Sequence, residues 1–73
     1  MPEIKIVTEV AGRICATPVQ VGGTVVDDDE IVFVEAMKME IPVPAPASGT
    51  LTSLLVKIDD LVAEGQTIAI VAS

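Results

Sequence analysis

Short apolar runs rich in Ile, Val and Thr alternate with turn-forming residues along the chain, a pattern that predicts strands. Ile4 to Val10 reads as a first strand ended at Ala11-Gly12, and Arg13 to Ala16 reads as a second extended segment. Pro18 has no backbone donor and suits a strand end or edge. Val19 and Val21 then resume an alternating pattern up to a turn at Gly22-Gly23. Thr24 to Val26 is a very short strand candidate. Asp27, Asp28, Asp29 and Glu30 gather like charges and turn-forming side chains, which predicts an exposed loop. This cluster lacks the glycine and the distant glutamate of a calcium loop, so it reads as a solvated turn.

Ile31 to Val34 is continuously apolar and leads into Glu35 to Glu40. Beyond it Ile41, Val43 and Ala45 alternate with Pro42, Pro44 and Pro46. Prolines at every second position forbid a helix and leave the intervening N–H groups free to pair on one side, so this arm is extended. Two extended arms thus flank Lys38 and place it at or near the tip of a β-hairpin.

From Ser48 onward the sequence restates its first half. A shift of 37 residues, from Gly12 to Gly49, puts Ile14 on Leu51, Val19 on Val56, Val25 on Val62, Ile31 on Ile68 and Val34 on Val71. Two copies are too few for a stacked solenoid; they suit two four-stranded halves, about 4–36 and 41–73, packed face to face about a pseudo-twofold axis. The expected fold is all-β: a single domain over residues 1–73, forming a flattened β-sandwich or barrel of about eight strands. Turns correspond as well, Gly22 to Asp59 and Asp28 to Gly65. Aspartate tolerates left-handed backbone angles, so these turns are expected to need positive φ. Met1 falls on Lys38 under the shift, which puts the termini at the opposite end from the lysine tip.

Composition narrows the chemistry. The 73 residues include no histidine, tyrosine or tryptophan and one cysteine, which closes most routes to a catalytic triad or a metal site. Lys38, between two methionines, is the sharpest chemical feature. Eleven acidic residues against four basic ones give a net charge of −7, which repels nucleic acid and anionic membranes. Cys15 has no partner for an internal disulfide, and the start Met1-Pro2-Glu3 resembles no secretion signal, so a cytoplasmic protein is expected.

The residues Glu35-Ala36-Met37-Lys38-Met39, set between an apolar strand and a second extended arm in a two-fold repeated β domain, resemble the biotin attachment site of the biotinyl domains of biotin-dependent carboxylases. The resemblance runs from about Thr8 to Val71 and includes Gly12, Gly49 and the later pattern Val56, Ile58, Val62, Gly65, Gln66 and Ile68. Asp28 and Asp59 stand where such domains commonly carry glycine. Nothing between Gly12 and Val19 resembles the protruding thumb of the bacterial acetyl-CoA carboxylase carrier, so the chain looks like the thumbless domains.

This resemblance implies a non-catalytic carrier. Biotin would be joined to the Lys38 amine by a biotin protein ligase that reads Glu35, Ala36, Met37 and Met39. A carboxyl group would then travel from a biotin carboxylase site to a carboxyltransferase site. The acceptor would be an acyl-CoA, pyruvate or a related acid. An amine attacks an activated acyl group only in its neutral form, and the sequence offers no base beside Lys38, so the ligase must supply one. Two other readings fit the same fold. A lipoyl domain also displays a modified lysine on a hairpin, but usually with an acidic residue before it and a small one after it. A lipoyl-like interaction module of membrane-fusion adaptors modifies no lysine, and is generally split by a helical hairpin that is not visible here.

Overall fold

Alternating side chains along the strands divide into an inward apolar set and an outward polar set, and the inward set obeys the 37-residue repeat almost pair by pair. Ile14 and Leu51, Ile31 and Ile68, Val32 and Ala69, and Val34 and Val71 are all fully buried. Val25 with Val62, and Ile6 with Val43, also belong to the core, together with Ala45 and Val56. The computed structural model describes residues 2–73, and Met1, which the repeat matches to Lys38, lies outside them.

Eight strands bury these residues: β1 (Glu3–Val7), β2 (Gly12–Ala16), β3 (Thr24–Val25), β4 (Glu30–Ala36), β5 (Met39–Pro44), β6 (Gly49–Leu54), β7 (Leu61–Val62) and β8 (Thr67–Ala72). They form two four-stranded antiparallel sheets, one in the order β1-β8-β6-β3 and the other β5-β4-β2-β7. The flattened all-β sandwich is as expected, with an ordinary loop of residues 17–23 between β2 and β3 and no thumb. The arrangement of the halves differs from the simplest expectation. Each sheet takes two strands from each half of the repeat, so the halves interlock instead of stacking as separate sheets. Alternation specifies which face of a strand is buried and leaves its neighbours open.

Three segments depart from their expected bounds. The first strand stops at Val7, where a register shift ends regular pairing. Thr8 is then buried, its hydroxyl donating to the Val10 carbonyl at 2.8 Å. Val19 and Val21 belong to no strand; Val19 packs on the core and Val21 is exposed. β4 continues past Val34 to Ala36, because Glu35 and Ala36 pair with Glu40 and Met39.

The proline-studded arm is β5, at the edge of its sheet, where the side turned away from β4 needs no donors. The acidic loop is a turn. Asp28 has φ 73° and donates its N–H to the Ala45 carbonyl, while an Asp29 carboxylate oxygen accepts the Val26 N–H at 2.9 Å. Gly65, its counterpart, has φ 84° and donates to the Thr8 carbonyl. The other matched pair, Gly22 and Asp59, also has positive φ, at 92° and 79°.

Candidate functional site

Pairing between β4 and β5 runs as far as Ala36 opposite Met39, which leaves Met37 and Lys38 as a two-residue link. Both have left-handed backbones, φ 53° and 64°. Positive φ at both central residues is the signature of the type I′ turn, whose twist matches that of the strands it joins. Such turns favour Asn and Gly, and for residues with larger side chains the left-handed region costs about 1–2 kcal/mol each. The hairpin therefore imposes local strain at Met37 and Lys38, and the ladder beneath holds it.

The tip is open to solvent. Met37 is 94% exposed and Met39 63%, so neither methionine fills the core; Lys38 is exposed and Ala36 half-buried. Among the described residues Lys38 has no ion-pair partner, since both ion pairs there belong to Arg13. Its primary amine is thus available to an incoming acyl donor.

The other expected site residue, Glu35, is paired with Arg13. It lies directly across from Arg13, whose Nη2 donates to its carboxylate at 2.8 Å, while Nη1 donates to Asp59 at 2.5 Å. These partners, Glu35 first and Asp59 second, raise the guanidinium above its ordinary pKa. Glu40 stands opposite Glu35 on the other side and is exposed. Among the described residues no carboxylate lies within ion-pair distance of Lys38. Arg13 and Asp59 escaped the sequence reading because they meet only through cross-strand packing. The available signal was an arginine next to a core residue, Ile14, and so on the outward face.

The family profile described as "Biotin-requiring enzyme" matches residues 1–71. A urea amidolyase of Lachancea kluyveri is 39% identical over 64 residues, which are 88% of this chain and 4% of that protein. The biotinylated protein TB7.3 homolog of Mycobacterium leprae is 31% identical over 64 residues and is covered over 90% of its length. A dihydrolipoyllysine-residue acetyltransferase component of the pyruvate dehydrogenase complex from Mycoplasma genitalium is 32% identical over 60 residues, 82% of this chain and 16% of that protein. Among solved structures, the urea carboxylase of Kluyveromyces lactis superposes with a TM-score of 0.93 at 30% identity, covering 99% of this chain and 6% of that one. Fold, hairpin and profile agree: the chain belongs to the biotin-requiring enzyme family of biotin/lipoyl attachment domains, which are carriers.

Proposed function

We propose that Lys38 is the attachment point for biotin, joined there by a biotin protein ligase in the cytoplasm. The loaded chain then serves the biotin carboxylase and carboxyltransferase of an acyl-CoA, pyruvate or related carboxylase or decarboxylase. The observation that carries this reading is the exposed Lys38 on a two-residue turn between exposed Met37 and Met39. These residues fit the cofactor: an unpaired primary amine at a fixed tip accepts an acyl group without disturbing the core. Biotin-carrying relatives support the same reading.

In loading, the neutral Lys38 Nζ would be the nucleophile that takes the acyl group of ligase-activated biotin, forming an amide as the activating group leaves with the broken C–O bond's electron pair and the nitrogen gives up a proton. Glu35 is held by Arg13, so the ligase supplies the base. Ala36, Met37, Met39 and Glu35 are the local features for the ligase to read. Once attached, the cofactor supplies the carboxyl-carrying chemistry and the protein supplies tether and address. The flexible lysine stem raises the effective concentration of the group at each site it reaches.

A second reading, a lipoyl carrier, is favoured by the acetyltransferase relative. Incubating the full chain with a biotin protein ligase, biotin and ATP, and in parallel with a lipoate ligase and lipoate, separates the two by intact mass. The biotin increment alone, absent from Lys38→Arg, is expected; a lipoyl increment alone contradicts the biotin reading.

A further inference from the structure

A row of four residues crosses the outer face of the hairpin sheet one step below the turn. It comprises Leu61 on β7, Arg13 on β2, Glu35 on β4 and Glu40 on β5, paired in that order. Directly paired residues project from the same face of a sheet. The repeat builds an equivalent row on the other sheet, near the chain termini: Thr24, Thr50, Ala72 and Glu3. The two rows sit on equivalent backbone, and the second carries neither a leucine nor an arginine. Leu61 is 80% exposed, an aliphatic side chain in water where the equivalent position holds a threonine. Beside it Arg13 pairs with two carboxylates, Glu35 and Asp59, and Glu40 stands opposite Glu35 on the next strand.

We infer that this row is the docking face for the ligase, with Leu61 entering an apolar socket rimmed by lysine or arginine side chains. The inference rests on the biotin reading of Lys38. Reach favours the ligase over later partners. The lysine stem spans only roughly 6 Å from Cα to Nζ, so the enzyme that acylates it must close on the hairpin itself. Leu61 lies two strands from Glu35, roughly 10 Å at the usual strand spacing, well inside the patch that an ordinary interface covers. The acylated arm is much longer and can enter later sites from farther away. Charge selects the socket's rim: an acidic surface on a chain of net charge −7 is matched by a basic partner.

The test compares the wild-type chain with Leu61→Thr, which copies the residue the fold already accepts at the equivalent position, and with Thr24→Leu at the far end. Each is titrated as acceptor against a biotin protein ligase with biotin and ATP, and transfer is read by intact mass. Leu61→Thr is expected to raise KM about tenfold with kcat unchanged and the circular-dichroism melt retained, as for loss of a contact anchor. Thr24→Leu is expected to match wild type. Wild-type kinetics for Leu61→Thr overturn the inference and leave the biotin reading standing. If that variant loads normally but slows carboxyl transfer, the face belongs to a carboxylase partner and the ligase assignment is wrong. No mass gain on the wild-type chain defeats the biotin reading, and this inference with it.

Discussion

Arg13 and Glu35 face each other directly across the β2–β4 ladder, 2.8 Å apart at their charged ends, so the acidic residue nearest the start of the hairpin is already engaged. The ion pair lifts the guanidinium above its ordinary pKa, with Glu35 the largest cause. A group raised in the folded state contributes its stability at every pH below its unfolded pKa and loses it only as pH climbs through the folded value. For Arg13 that window lies above the ordinary arginine range. The stability difference between wild type and Arg13→Met is therefore expected to stay constant between about pH 7 and about pH 10 in urea titrations. A difference that shrinks over this interval contradicts the assignment.

Of the five glycines, Gly12 and Gly49 meet the closest backbone neighbours, and the repeat relates the two. A Cβ at Gly12 overlaps the Glu35 carbonyl oxygen and lies 2.8 Å from Val34 Cγ1; one at Gly49 overlaps the Ala72 carbonyl oxygen and lies 2.8 Å from Val71 Cγ1. Backbone atoms cannot swing aside as a side chain can. Alanine at either position is expected to cost about 3 kcal/mol, most of the roughly 5 kcal/mol available to a domain of this size. Urea unfolding checks this, and a loss at one glycine without a similar loss at the other contradicts the equivalence of the two crossings.

Gly65 provides a contrasting case, because a Cβ there meets nothing within 4 Å. Its φ of 84° is what restricts it, and Asp28 adopts a similar angle in the matched turn. Gly65→Ala is expected to lose about 1 kcal/mol, and Gly65→Asp less than half of that. Equal losses for the two, measured by thermal melts, contradict a conformational origin.

Met37 occupies a left-handed position that favours asparagine or glycine. Met37→Asn is expected to raise stability by about 0.5–1 kcal/mol and to slow ligase-dependent loading of Lys38. Such a result shows that the strained methionine is kept for recognition. A variant both more stable and loaded at the wild-type rate leaves Met37 without that role.

Much of this was legible in the sequence for identifiable reasons. The repeat fixed the core pairs because buried positions on equivalent strands demand apolar side chains twice. The exchange of glycine for aspartate between Gly22 and Asp59, and between Asp28 and Gly65, announced positive φ, which all four residues show. Alternate prolines marked an extended arm, and Lys38 between two arms marked a tip. Hidden features depended on contacts between strands: the interleaving of the halves, the Arg13–Glu35–Asp59 cluster, and the loop that displaced an expected strand at Val19 to Val21. The left-handed angles of Met37 and Lys38 were hidden for another reason. Neither residue type signals such a turn; the register of β4 against β5 imposes it.

Biotin on Lys38 is tested by the mass of the chain isolated from its own host grown with biotin, fragmented so that any added mass is placed on a residue. A single biotin increment, the acid less one water, is expected on Lys38 and on neither Lys5 nor Lys57. A lipoyl increment on Lys38, or an unmodified Lys38 where biotin and active ligase are present, contradicts it.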